Sequence, residues 1–440
     1  MYLIYRILTA ISVIFLAPYY ALRAWRRGEA LGTLGERFGR LPTEMGGRRP
    51  TGPSAIWIHA VSVGEVLAAK PLAEALRHRF ASRVVYVSTT TETGQRLARE
   101  RLTAVDGIFY FPLDWVVPVR RALRAICPAL VIVMETEIWP NFLREARRQQ
   151  VPVIFVNARI SERSFARYKR WEFLVAPFYS RVLADAELFL AQTPEDATRL
   201  TEMGAPEDHI EVTGNLKYDS DQPDISPLGV WLEGEIQRQE RWPVIVAGSV
   251  VADEEEAVLA GYDIVQRRWR RALLILAPRK PERFDLAAAI ASDGGWKVVR
   301  RSRLNFDVPL DETADVLVLD TIGELAGLYL FADVVFVGGS LVPAGGHNIL
   351  EPAWFAKAPV FGPSMENFRD MARQFLKAHA AIEVTGGQQL GRVWVQLIED
   401  SGLRERMGRA ARELSERNRG ATLRSVERIA AVLCRREQSG

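Results

Sequence analysis

Carboxylates, a lysine and paired glycines stand just after apolar runs in this chain, and in α/β proteins ligands bind beyond the ends of strands. HAVSVGE, His59 to Glu65, places Glu65 at the start of a helical pattern. There the helix dipole favours an ionised carboxylate, which can take a proton from an attacking alcohol. The same placement suits a residue that only complements the helix end, and these residues leave both readings open. His59 closes an apolar run and reads as a hydrogen-bonded core residue. METEIWPN, Met134 to Asn141, ends the run LVIVM with Glu135 and Glu137; carboxylates there need cations nearby, because burying an unpaired charge is expensive. NARISERSFARY, Asn157 to Tyr168, offers Arg159, Arg163 and Arg167 at helical spacing, either a solvated face or a clamp for anions. GNLKYD, Gly214 to Asp219, supplies Lys217, a cation able to balance charge on a donor or leaving group.

The second half of the chain carries a different chemistry. FVGGSLVPAGGHNILEP, Phe336 to Pro352, reads as a strand, a glycine-rich loop and a helix start with Asn348 as its cap. Glycines let backbone approach a ligand, and a helix start offers N–H groups to phosphate. Glu351, one turn in, is placed to accept hydrogen bonds from two sugar hydroxyls. APRKPERF, Ala277 to Phe284, points Arg279 and Lys280 where a phosphate would sit, DTIGELAGLY, Asp320 to Tyr329, makes a tight turn at Gly323 and Glu324, and AGSVVADEEEA, Ala247 to Ala257, starts a helix with acids. Both G-x-G-x-x-G and G-x-x-x-x-G-K-[ST] are absent, which removes most support for dehydrogenases and NTPases.

The elements that must position these loops alternate with period. Apolar runs at Ala55–His59, Val84–Ser88, Leu130–Met134, Val153–Val156, Leu188–Ala191 and Ile210–Val212 predict one parallel sheet. A second follows at Val244–Ala247, Ala272–Ala277, Trp296–Val299, Val316–Leu319, Val334–Val337, Pro359–Gly362 and Ile382–Val384. The expected architecture is α/β, with two facing Rossmann-like domains across a cleft: 29–219 and 243–440, joined by a linker over 220–242 that begins in proline-rich SDQPDISPLG. A length of 440 residues suits two such domains, and 48% hydrophobic with 25% charged residues suits a globular enzyme. The two cysteines, Cys127 and Cys434, provide neither a disulfide framework nor a zinc site.

Residues 1–28 read as a membrane-anchoring helix. The apolar part, Ile7 to Leu22, would cover about 24 Å as a helix, short of the roughly 30 Å hydrocarbon core, so a tilted span and an interfacial anchor both remain open. Arg23, Arg26 and Arg27 follow it, which puts the rest of the chain on the cytoplasmic side. The first fifty residues hold eight arginines against three glutamates, while the whole chain is only +3. Charge concentrated beside an apolar run points to an anionic membrane or lipid, and nucleic acid would need a wider basic face with stacking aromatics.

VSVGE, STTTETG, METEIWPN, NARISERS, TGNLKYD, APRKPERF, DTIGEL and FVGGSLVPAGGHNILEP occur in this order over nearly the whole chain. In these motifs the sequence resembles the 3-deoxy-D-manno-octulosonic acid (Kdo) transferases of lipopolysaccharide synthesis. The resemblance implies a GT-B glycosyltransferase that moves Kdo with inversion from CMP-Kdo to a lipid A precursor (lipid IVA) on the cytoplasmic face of the inner membrane. It implies Glu65 as general base, with Glu135 and Lys217 stabilising the transition state. It implies Pro278, Arg279, Ile322, Gly323, Glu324, Asn348, Ile349, Leu350 and Glu351 as the CMP site, and LGERFGR, Leu34 to Arg40, as an acceptor contact. No metal and no cofactor are expected. Asp219-Ser220-Asp221 spells the D-x-D metal triplet of other glycosyltransferases, but its linker position beside Pro223 makes the match fortuitous. Two other readings stay open: a sugar-nucleotide epimerase, which shares two such domains and would take a UDP-sugar without a lipid, and a membrane-tethered binder without activity.

Overall fold

Strands with apolar residues on both faces are stable only when helices cover both faces, and the chain meets that condition twice. The computed structural model describes residues 2–7, 9, 11, 33–42, 45, 55–219 and 222–439. It divides into a first unit of Met1–Ser220 with Asn418–Gly440 and a second of Asp221–Arg417.

The first unit is built on a seven-stranded parallel sheet: β1 (Ala55–His59), β2 (Val84–Thr89), β3 (Gly107–Tyr110), β4 (Pro128–Met134), β5 (Val153–Ala158), β6 (Leu188–Ala191) and β7 (Ile210–Val212), in the order β3-β2-β1-β4-β5-β6-β7. Every residue of β1 is buried. Trp57 at its centre packs against Phe109, Phe111 and Phe142 and donates its indole N–H to Ser88 Oγ at 2.7 Å. The order turns between β1 and β4, so the loops leaving these two strands diverge and leave a crevice at their carboxyl ends. Helix α1 (Val63–Arg79) follows β1, α2 (Pro140–Arg148) follows β4 and α3 (Glu162–Leu183) follows β5.

The second unit repeats the plan with β8 (Val244–Val250), β9 (Leu273–Pro278), β10 (Val298–Arg300), β11 (Val316–Val318), β12 (Val334–Val337), β13 (Val360–Phe361) and β14 (Ile382–Glu383), ordered β10-β11-β9-β8-β12-β13-β14 and parallel throughout. Its turning point lies between β8 and β12.

The chain divides differently from the sequence-based boundaries. Within the expected linker, α4 (Pro227–Arg238) is a helix capped by Ser226, whose Oγ accepts Gly229 N–H at 3.2 Å, and its Leu228 and Leu232 are fully buried. At the other end, α5 (Ala421–Ser439) belongs to the first unit. Its apolar stripe of Ala421, Val426, Ile429, Val432 and Leu433 joins the core formed by α1 and the faces of β1 and β4. Asp219 anchors the start of α5, accepting Gly420 N–H at 2.6 Å and Thr422 N–H at 2.5 Å. That assignment explains Asp219 without a metal triplet; Ser220 and Asp221 lie outside the described residues.

Most of the expected membrane anchor, 1–28, also lies outside them. Among the described residues no helix is long and apolar enough to cross a membrane. The described start of the segment is tied to the first unit: Tyr2 donates to Asp185 at 2.7 Å, Tyr5 to Asp114 at 2.8 Å, and Arg6 reaches Asn141 and Glu145 at 3.1 and 3.0 Å. Its other face leaves Leu3, Ile4, Ile7 and Ile11 exposed.

Candidate active site

In the first unit the site grows from the ends of β1 and β4. Ser62 caps α1: its hydroxyl lies 3.5 Å from Glu65 N–H and donates to Glu65 Oε1 at 2.8 Å, while Glu65 Oε2 accepts Val61 N–H at 2.8 Å. This resembles a capping box with Val61 N–H in place of the cap residue's own, so the helix-end role of Glu65 is real. It does not exhaust the residue. Glu65 is only 5% exposed, and burial pushes its carboxyl from the ordinary 4.5 up to about 7, against the hydrogen bonds from Val61 and Ser62 and with the neighbouring charges of Glu135 and Glu137. Each oxygen retains a second acceptor direction, so the group is placed to exchange a proton near neutral pH.

Glu135 sits at φ 54°, its N–H bonded to Val156 O at 2.9 Å. A left-handed non-glycine residue holds local strain, and such strain clusters at functional sites. The Glu137 carboxyl beside it is raised by burial and then by Glu135. Lys217 leaves the short turn Leu216–Asp219; burial pushes its ammonium down, while Glu135 and Glu65 hold the charge in place and Arg159 opposes it. Glu65, Glu135 and Lys217 thus act on one another electrostatically at the turning point of a single sheet. His59 is fully buried, stacked on Phe111 at 3.8 Å with Nδ1 3.0 Å from Ser88 Oγ, and burial holds its imidazole down at about 3. It is a core residue. Arg159 and Arg167 line a cavity beside Glu135, and Arg163 does not.

In the second unit the four expected loops all leave carboxyl ends of strands. Pro278 is buried at the end of β9, and exposed Arg279 donates its N–H to Val250 O at 2.8 Å. Ile322 is 72% exposed and Gly323 has φ 96° with open space where a Cβ would stand. Glu324 is already engaged, paired with Arg301 at 3.0 Å and accepting Thr321 Oγ1 at 2.5 Å. Asn348 Oδ1 accepts Leu350 N–H at 3.1 Å and its amide lies 3.4 Å from Glu351. Ile349 and Leu350 are fully buried, so only their backbone is available to a ligand. Burial raises the Glu351 carboxyl to about 7, against Asn348 and Arg279, and lowers the His347 imidazole to about 4, with Arg279 adding to the effect. Gly339 is obligatory here: at φ 69° a Cβ would stand 2.8 Å from His347 Nε2.

Two positioning residues were not singled out by sequence reasoning. Glu254, with no exposed surface, takes four backbone N–H groups: Val251 and Gly339 at 3.0 and 2.6 Å on Oε2, Ser340 and Leu341 at 2.8 Å on Oε1. It bridges the loops leaving β8 and β12. The first glycine pair therefore does not cradle a ligand phosphate as expected, since Gly339 N–H is held by the Glu254 carboxylate and Gly338 N–H by Gly248 O at 2.8 Å. Four successive acids after β8, Asp253 to Glu256, were the signal, more than a helix dipole requires. Asn157, at φ 60° and fully buried, accepts Leu216 N–H at 3.0 Å and so holds the turn bearing Lys217. Its signal was an Asn, tolerant of left-handed backbone, ending an otherwise apolar strand.

A family model described as 3-deoxy-D-manno-octulosonic-acid transferase (kdotransferase) matches residues 32–220. The chain is 33% identical over 384 residues to a 3-deoxy-D-manno-octulosonic acid transferase of Haemophilus influenzae, covering 87% of this chain and 88% of that protein. It is 34% identical over 425 residues to the Bordetella pertussis protein of the same name, covering 94% and 96%. Among solved structures, UDP-GlcNAc 2-epimerase from Neisseria meningitidis bound to UDP-GlcNAc aligns over 86% of this chain and all of that one, with a TM-score of 0.55 and 15% identity. That likeness is one of fold.

Proposed function

This chain belongs to the 3-deoxy-D-manno-octulosonic acid transferases, and we propose the acceptor, the donor and the residue roles through which it transfers Kdo in lipopolysaccharide synthesis. The donor is CMP-Kdo and the acceptor a lipid A precursor. Glu65 takes the proton from an acceptor hydroxyl, whose oxygen attacks the anomeric carbon of Kdo with inversion as the bond to the CMP phosphate breaks and CMP leaves with the electron pair. The observation that carries this reading is the Glu65 carboxyl: enclosed, poised near neutrality and coupled to Glu135 and Lys217 at the turning point of its sheet. A base works best when its pKa lies near the working pH.

Lys217 supplies positive charge during the displacement, and Glu135 favours the charged ammonium against the burial that pushes it down. Arg279 meets the CMP phosphate, and Glu351 accepts ribose hydroxyls. Residues 1–28 hold the enzyme at the cytoplasmic side of the inner membrane, which the outward row of Leu3, Ile4, Ile7 and Ile11 supports as an apolar face without a protein partner among the described residues.

Incubation of the full chain with CMP-Kdo and a lipid A precursor tests the reading. The lipid should gain the mass of Kdo as CMP accumulates. An unchanged lipid, or interconversion of a UDP-sugar in its place, would overturn it and favour the epimerase.

A further inference from the structure

The first unit contains a cavity of about 620 Å³ whose lining changes character along its length. One end is formed by Glu135, Arg159 and the first turns of α3, with Ser164 and Arg167; farther along the same helix stripe come Trp171, Val175 and Tyr179. From Ser164 to Tyr179 a helix advances roughly 22 Å. Polar and basic groups therefore give way to an aromatic and aliphatic wall, of which the part from Trp171 to Tyr179 runs about 12 Å, enough for part of an acyl chain. The Arg167 side chain has no hydrogen bond or ion pair with any other described residue, whereas on the same helix Lys169 pairs with Glu172 and Glu202. Trp171 is 52% exposed, a large apolar surface left beside an unpaired guanidinium.

Such a cavity fits one kind of molecule: an amphiphile with an anionic head and a hydrocarbon chain. A sugar nucleotide would leave the apolar wall bare, and Arg159 and Arg167 supply positive charge for an anionic head against the acids Glu135 and Glu137. A planar guanidinium forks two hydrogen bonds onto a phosphate. Each methylene laid on the apolar wall adds to binding, since the driving force grows with apolar area removed from water.

We propose that this cavity seats the part of the acceptor remote from the reacting hydroxyl, with a phosphate on Arg167 and one acyl chain along Trp171, Val175 and Tyr179. The proposal rests on the transfer reading above and adds what selects the acceptor. Glu135 lines the cavity and acts on Glu65, so a molecule seated here extends its sugar towards the base. Arg167 and Trp171 are then specificity-determining residues: one reads the phosphate, the other the chain.

The test compares three acceptors, the acylated phosphorylated disaccharide, its deacylated form and its dephosphorylated form, on the full chain and on Arg167→Ala and Trp171→Ala. Both side chains are outside the core, so both variants should melt like the parent chain. Trp171→Ala should raise KM for the acylated acceptor at least tenfold more than KM for the deacylated one. Arg167→Ala should raise KM at least tenfold for phosphorylated acceptors and much less for the dephosphorylated one. Calorimetric binding of the acylated disaccharide to the same proteins should follow the same order, and this arm needs no turnover. Equal effects of each variant on all three acceptors, or parent-like binding, would overturn the seat while leaving the transfer reading intact. Parent chain that binds the acylated disaccharide through these residues yet releases no CMP would sink the transfer reading instead. Competition by a diacyl phospholipid as strong as by the acceptor would mean that the cavity holds membrane lipid, and would also overturn the proposal.

Discussion

Replacing Glu65 by Gln should make the protein more stable and nearly inactive, and the stability change should depend on pH. The carboxyl ionises near 4.5 when the chain is unfolded and near 7 in the fold. Below pH 4.5 both states carry the proton and Glu65 is not penalised. Between 4.5 and 7 the unfolded chain loses its proton first, so stability falls as pH rises, reaching a loss on the order of 3 kcal/mol above pH 7. Gln is never charged and avoids that loss. It also preserves the cap: its carbonyl accepts Val61 N–H and its amide donates to the Ser62 hydroxyl, since Gln serves in a capping box as Glu does. Urea unfolding should therefore show the variant level with the parent chain at pH 4.5 and about 2–3 kcal/mol more stable at pH 8. Transfer should fall by roughly 10² to 10⁴, the span usual for losing a general base. A stability difference that does not vary with pH would refute the assignment of a raised pKa, and turnover within a few-fold of the parent chain would refute the base.

Other expectations follow from the same geometry. Transfer by the parent chain should rise with pH through about 7, as the Glu65 proton is lost, and a profile already flat at pH 5.5 would contradict the raised carboxyl. Glu254→Gln leaves two of four backbone donors without an acceptor, a loss of about 2–6 kcal/mol at 1–3 kcal/mol per buried unsatisfied group, and denaturant titration together with CMP affinity should both report it. Asn157→Ala removes the acceptor for Leu216 N–H and puts in the left-handed region a residue that tolerates it less well than Asn, about 2–5 kcal/mol together at most; Asn157→Gly should recover the backbone part but not the rate of transfer, because the Lys217 turn stays loose.

Period and punctuation were enough to place most of the strands. Val, Ile and Leu runs bounded by Gly, Pro and polar residues located β1, β2 and β4 to β14, each to within a few residues. Edge strand β3 escaped, since Gly107–Tyr110 is four residues long and half-exposed at its start. The 227–238 helix was hidden by the prolines around it: Pro227 sits at a first helical position, where it is favoured, although in sequence it reads as a breaker. Residues 418–440 looked like the natural end of the second domain, and only tertiary packing of their apolar stripe reveals the other unit. At the site, Glu65 was legible because a strand, a capping serine and an acid follow in order. Glu254 and Asn157 showed only as a run of acids and an Asn near the end of a strand, and what they hold could not be read locally, because Gly339 and Leu216 N–H lie 85 and 59 positions away.

The division of labour between the units is tested most directly by titrating CMP into the parent chain, Glu65→Gln and Arg279→Ala in a calorimeter. If the first unit activates the acceptor and the second holds the nucleotide, Glu65→Gln should bind CMP as the parent chain does, and Arg279→Ala should bind at least tenfold more weakly. The reverse order, with CMP affinity lost on changing Glu65 and kept on changing Arg279, would contradict the assignment of base and donor site.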